Sequence, residues 1–524
     1  MQIAIVKRYL KLPVSNTAQP ARLVFRDGNR IAADLVTRLD PAQTQQFFYW
    51  DARELLGKTL EFSCTPDTGY TPVFVDTVPM DGLYAEPHRP AAHFTASRGW
   101  INDPNGAVFY EGKYHLFFQY NPVDSVWGNM HWGHAVSTDL LHWAQQDIAL
   151  FPDALGTMFS GSAFVDHKNV SGLKENDHDP LLLFYTAAGG TSLASDGQKF
   201  TQCLAYSTDG GNTFRKYNRN PIVPHIAGEN RDPKVVYNPE DDTYYMALYL
   251  EGHEYALLTS RNLLDWGCVQ RITLPDDAEC PDLYPLTTAS GKTYWVFSGA
   301  SDRYLIGKLH EQRFEAIQPV HRLQSRGKSY AAQTFSNVPE GRILRIGWNQ
   351  SRIPDSVFDG SMCIPTEMTL KEDGDGLWLC AAPVRQITGL VASSRQVSPR
   401  ELTTGSYDLF PLTGNAQDIT LELRAEPDTV VCFSLLGLSV RLLPAESALQ
   451  VGDVTMPVFA KDGTIRLRLI TDTHAVEIFA ADGETFTCIE HTADYHQNRL
   501  TVAVSSGKAA LLNAGCRELR RIWR

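Results

Sequence analysis

The chain has 524 residues, too many for one ordinary hydrophobic core, so two or three domains are expected. Hydrophobic residues make up 43% and charged residues 20%, the balance of a soluble globular protein, and no apolar run is long enough to span a membrane. A net charge of −13 argues against nucleic acid as the main partner, because phosphate binding needs a basic field. The nine cysteines are scattered and form no CxxC pair, which argues against a zinc ribbon or a thioredoxin-type site. Free thiols in a reducing compartment, and no apolar leader segment near the start, give a cytoplasmic expectation.

Residues 1–88 carry short alternating runs such as "ARLVFRDG", "QQFFYWDA" and "KTLEFSC", the pattern of a small N-terminal β-domain. "VPMDGLYAEPHRPAAHF" follows as a connector richer in Pro and Gly. Over residues 89–385 a unit recurs five times: a polar or acidic start, a strand, a turn, then a strongly apolar strand. The five units open at "NDPNGAVFY", "SGSAFVDH", "RDPKVVYN", "ECPDLYPL" and "AAQTFSN". Three carry a related third strand, "HAVSTDLLHW", "LAYSTDGGNTF" and "ALLTSRNLLDW". A repeat of four-strand units predicts an all-β fold, a five-bladed β-propeller. Residues 386–524 alternate cleanly through "DITLELRA", "GTIRLRLITDTHAVEIFAADGETFTCIE" and "RLTVAVSSG", which predicts a C-terminal β-sandwich. Strand edges in the terminal β-domains leave pairing into a homo-oligomer open.

In a propeller the innermost strands ring the axis, so residues at their starts converge. Asp103, Ser160, Asp232 and Glu279 each open such a strand in this reading. Each alone reads equally well as a turn former, and Asp-Pro and Asn-Gly both favour turns. Their common register favours one pocket. Carboxylates brought together repel, so at least one should titrate high. A protonated acid beside an ionised one is the division of labour that glycoside hydrolysis needs. Asn102, Asn105, Gln119, Ser160 and Arg231 offer hydrogen bonds to hydroxyls, and Trp100, Trp127 and Trp348 offer flat faces to a sugar ring. The mix points to a small carbohydrate substrate rather than phosphate or metal. "HWGH" and His142 tempt a metal reading, but HExxH is absent and structural histidines are the simpler account. Cys280 reads as a small residue steering its neighbour Glu279 rather than as a nucleophile.

"WINDPNG" (100–106), "FSGSA" (159–163), "RDPKV" (231–235) and "ECPDLYPL" (279–286), in this order, closely resemble the signature motifs of glycoside hydrolase family 32, which holds invertases, inulinases and levanases. The resemblance covers residues 91 to 520 and implies a five-bladed propeller followed by a β-sandwich. It implies Asp103 as nucleophile on the anomeric carbon of a fructosyl unit. It makes Glu279 the general acid and then base, and Asp232 the residue that holds hydroxyls and stabilises the transition state. Asn102, Gln119, Trp127, Phe159, Ser160, Arg231 and Trp348 would line the fructose subsite. Retention of configuration implies nucleophile and acid carboxyls about 5–5.5 Å apart. No metal or organic cofactor is implied. Two positions depart from the family pattern: Ala278 stands where an aromatic is common and Asn230 where Phe is common, and both are expected to re-line the pocket edge. The expected activity is release of terminal β-fructofuranosyl units from fructans or fructo-oligosaccharides. Sucrose cleavage, fructosyl transfer, and a non-catalytic fructan-binding module are the alternatives.

Overall fold

The computed structural model describes residues 1–523. Five sheets, antiparallel but for one short added strand in the first, follow one another in the chain. Their innermost strands are Gly99–Tyr110, Thr157–Val165, Arg231–Asn238, Asp282–Thr287 and Ser329–Thr334. In the second, third and fourth sheets the strands run outward in sequence order, as a propeller blade requires. The ring closes where Val108 of the first blade pairs with Ser336 of the fifth, and where Phe358–Asp359 pairs in parallel with Gly99 and Trp100. The five-bladed propeller therefore stands. The repeated third strand has a physical cause. The hydroxyls of Ser137, Ser207 and Ser260 each accept two backbone N–H bonds from the turn that follows. Each turn then places its next-but-two residue, Leu140, Gly210 or Leu263, at positive φ.

Beyond the propeller, a seven-stranded and a six-stranded sheet face each other over a core of Leu, Ile and Val side chains that includes Leu421, Val440, Leu467 and Val502. This is the β-sandwich; burial is period-2 in strands such as Val430–Leu435 and Leu438–Leu443, whereas Ala475–Ala480 is buried on both faces despite the alternation expected there. A separate cluster joins sandwich to propeller, with Phe94, Ile101, Phe118, Phe479 and Phe486 in contact.

The first seven strands, from Gln2–Ala4 to Val73–Val75, form a four-stranded and a three-stranded sheet with their own core around Leu23, Phe25, Phe48 and Phe62. That core also takes in Val123, which belongs to a loop of the first blade. No helix among the described residues is long and apolar enough to cross a membrane.

Candidate active site

Three acids meet at one end of the propeller axis. Asp103 lies in the first inner strand, on a stretch where the pairing with Lys113–Asn121 slips its register between Ile101 and Pro104. Ser160, at a bulge in the second inner strand, donates to Asp103 Oδ2 at 2.7 Å, and Asn102 Nδ2 donates to Oδ1 at 3.1 Å. The Asn102 amide is itself fixed by Trp100 Nε1 at 3.0 Å. Asp232 opens the third blade's inner strand with φ of +66°, held by its N–H donating to Thr186 Oγ1 at 2.9 Å. Glu279 and Cys280 also have positive φ, +58° and +37°, just before the fourth inner strand rather than on it. A non-glycine residue in that region costs about 1–3 kcal/mol, and three in one pocket mark a backbone bent to aim side chains.

The carboxylates are not equivalent. Burial raises Asp103 above its ordinary range, and the charge of Glu279 adds to this while bonds from Ser160 and Asn102 oppose it. Asp232 is pushed up to about 7 by burial, with Arg231 opposing and Asp103 adding. Both aspartates are therefore raised, chiefly by burial and only secondarily by the crowding the sequence suggests. The Glu279 side chain is 33% exposed, against 6% for Asp232. It accepts from Arg231 at 2.7 Å on Oε1 and from the Tyr330 hydroxyl at 2.6 Å on Oε2. Arg231, read from sequence as a substrate contact, thus lies on Glu279, with its guanidinium over the Tyr249 ring.

Cys280 joins the two aspartates. Its N–H donates to Asp232 Oδ2 at 3.0 Å, and its thiol lies 3.4 Å from that oxygen and 3.5 Å from Asp103 Oδ2. Burial and three nearby carboxylates raise the thiol well above its ordinary value, so it stays protonated.

The remaining sequence candidates group around this centre. Gln119 is buried and donates to the Met158 carbonyl at 2.9 Å. The Asn105 amide satisfies its neighbours with its oxygen toward Gln119 Nε2 at 3.0 Å and its nitrogen toward Ser160 Oγ at 3.2 Å. Trp127 is 57% exposed and meets Phe159 edge-on, and Phe159 in turn meets Phe200. Trp348 packs edge-on against Trp100 and Tyr330, and its indole N–H is buried without a partner among the described residues. Tyr330, Thr186 and Tyr249 were missed from sequence. Tyr330 directly precedes "AAQTF", where only its place beside a repeat start could have flagged it.

Asn230 departs from expectation. It is fully buried and its Oδ1 accepts the Ile226 and Ala227 N–H groups, so it braces a loop instead of lining the pocket edge. The histidines are structural. His131 takes a bond from Trp50 Nε1, His134 stacks on Phe117, and His142 pairs with Asp139.

The glycosyl hydrolases family 32 N-terminal domain model matches residues 93–381, and the family's C-terminal model matches residues 383–503. The chain belongs to glycosyl hydrolase family 32. It is 30% identical over 495 residues to a levanase of Bacillus subtilis, an alignment covering 84% of this chain and 72% of that protein. It is 30% identical over 485 residues to an extracellular exo-inulinase of Aspergillus awamori, covering 77% and 89%. It spans only 54% of a second levanase, from a Bacillus species. Among solved structures, exo-inulinase from Aspergillus awamori superposes with a TM-score of 0.74 at 26% identity, over 84% of this chain and all of that one. The family match starts at residue 93, so the N-terminal sheets lie outside it. The chain is a glycoside hydrolase.

Proposed function

We propose that this family 32 hydrolase is an exo-acting β-fructosidase that releases terminal fructofuranosyl units from fructans or fructo-oligosaccharides with retention of configuration. The observation that carries the reading is the division among the three acids. Asp103 is fixed by Ser160 and Asn102, while Glu279 stands at the open side, oriented by Arg231 and Tyr330. Asp103 attacks the anomeric carbon as Glu279 gives its proton to the departing glycosidic oxygen, and the carbon–oxygen bond breaks. The fructosyl group is left as an ester of Asp103. Water, losing a proton to Glu279, then attacks the same carbon and frees both fructose and Asp103. Asp232 holds ring hydroxyls and offsets positive charge in the transition state. Trp127, Phe159 and Trp348 form apolar walls, and the free indole N–H of Trp348 is a donor for a hydroxyl. The levanase and exo-inulinase names of the relatives support a fructan substrate.

Sucrose is the second reading, supported by an invertase of Schizosaccharomyces pombe, 32% identical over 348 residues. A cytoplasmic setting is part of the proposal, supported by nine cysteines that are all free. Self-association remains part of it too, through the sheet edges of the terminal domains.

Product analysis tests the reading. Wild type, Asp103→Asn and Glu279→Gln are incubated with sucrose, a β-2,1 and a β-2,6 fructo-oligosaccharide. Fructose released one unit at a time by wild type, and lost in both variants, is expected. Longer products would replace hydrolysis by transfer. No turnover of any fructoside would leave a binding module.

A further inference from the structure

The N-terminal sheets lie outside the family match, yet they hold the loops beside Trp127 and Phe159 at three points. The loop that carries Trp127 runs from Asn121 to Asn129. Its Val123 side chain is buried in the N-terminal core, and the Val123 carbonyl accepts from Thr37 Oγ1 at 2.8 Å. The next residue, Asp124, is 1% exposed and takes a forked ion pair from Arg38. The far end of the loop is held by Asn129. Its Oδ1 accepts the Val36 N–H at 2.7 Å and its Nδ2 donates to the Val36 carbonyl at 2.8 Å, so the amide pairs with the Arg30–Thr37 strand as a neighbouring peptide would, while the same Nδ2 also donates to Asn121 Oδ1 at 3.1 Å across the mouth of the loop. The third grip is on the second blade's loop, where Asp34 Oδ2 accepts the Leu193 N–H at 2.7 Å. That loop ends at Phe200, the ring against which Phe159 packs.

We propose that the segment Asp34–Arg38 is a positioning element for the substrate pocket: it fixes Trp127 through its own loop and Phe159 through the Leu193 loop, and so sets affinity for the bound fructosyl unit. The inference rests on the fructosidase reading above. It assigns the N-terminal sheets a part in recognition without placing any of their residues against substrate. The physical reason is entropic. Trp127 is more than half exposed and meets Phe159 only edge-on, so an unanchored loop would lose its order, and each substrate would have to restore it on binding. Anchoring both loop ends in a separate hydrophobic core removes that cost beforehand.

Asn129→Gly is the test variant, because Asn129 sits at φ of +46°, which glycine adopts without strain, and it is paired with Arg38→Ala, which breaks the grip on Asp124 but leaves the Asn129–Asn121 bond in place and should raise KM in the same direction. Asp34→Ala is the third variant and leaves the Trp127 loop untouched. The readout is kcat and KM on sucrose and a fructosyl trisaccharide, with thermal unfolding as a check on folding. A rise in KM of about fivefold or more for Asn129→Gly, with kcat within about threefold, is expected, and a smaller rise for Asp34→Ala. The same change made in Trp127→Ala should then add little, since the anchor acts through that ring. KM within about twofold of wild type in folded Asn129→Gly would overturn the proposal. So would an effect of equal size in the Trp127→Ala background, which would make the contact merely structural. Failure of the fructosidase reading is separate: it shows as no turnover by wild type itself.

Discussion

Tyr330 donates its hydroxyl to Glu279 Oε2 at 2.6 Å, from the blade that follows the one carrying Glu279. Burial, reinforced by the Glu279 charge, raises the phenol far above its ordinary range, so it keeps the proton it donates to Glu279. With Arg231 on Oε1, the carboxyl is held at both oxygens. Tyr330→Phe removes one charge-assisted bond worth roughly 1.5–3 kcal/mol, so kcat/KM should fall about 10- to 100-fold while the fold persists. Steady-state kinetics with thermal unfolding checks this. A change under about twofold would show that Arg231 alone orients the acid.

Cys280 should be chemically quiet and sterically demanding. A protonated thiol between two carboxylates is a poor nucleophile, so iodoacetamide near neutral pH should leave activity intact. Cys280→Ser keeps a small donor between Asp103 and Asp232 and should retain activity within about tenfold. Cys280→Leu forces bulk into contacts of 3.4 and 3.5 Å and should cost about a hundredfold or more, because misplacing reacting groups by an ångström has that effect. Alkylation with loss of activity in step would reverse the assignment.

Asp232 should make the native state less stable as pH rises. Its folded value of about 7 lies above the ordinary 3.8, so the folded chain binds the proton more tightly than the unfolded chain does. Stability from this group is therefore greatest below the ordinary value and declines as pH rises from about 4 through about 7. Asp232→Asn removes the ionisation and should stabilise the protein at pH 8 by roughly 1–4 kcal/mol, with the gain vanishing near pH 4, at the expense of activity. Denaturant melts at the two pH values measure it, and an equal shift at both would trace the effect to packing instead.

The blades were legible because all five repeat a polar start before two strands and three of them add one local device. A polar start, two apolar strands and a serine-capped turn leave a period that survives sequence drift, as Ser137, Ser207 and Ser260 show. The three acids were legible through their common register. Their mutual arrangement was not. Nothing in spacing says that Arg231 reaches across to Glu279, since the two are 48 residues apart and meet only when blades close. Asn230 misled for a related reason: beside Arg231 in sequence, it turns the opposite way and braces backbone. The grip of Val36 on Asn129 crosses 93 residues and a domain boundary, and it leaves no pattern in either segment.

His93 marks the joint between propeller and sandwich, and its titration should be visible in stability. The ring is buried; Nδ1 lies 2.8 Å from Asp472 and Nε2 lies 3.1 Å from Glu477, both on the sandwich. Burial alone would discharge the imidazole, but the two carboxylates outweigh it and raise it to about 10. Asp472 is correspondingly held below its ordinary value: burial opposes this, and the bond and charge of His93 outweigh it. The folded value lies above the ordinary 6.5, so the contribution is complete below that pH and is lost as pH rises through about 10. Replacing the ring by Phe keeps its bulk but leaves two buried carboxylates facing apolar surface, which costs about 3–5 kcal/mol. His93→Phe should therefore unfold earlier at pH 6 by that amount. Near pH 10.5 the gap should narrow, because the wild type has lost its proton there as well. Parallel melting curves at both pH values would mean that the pair of domains is held by the Phe94 and Phe479 cluster alone.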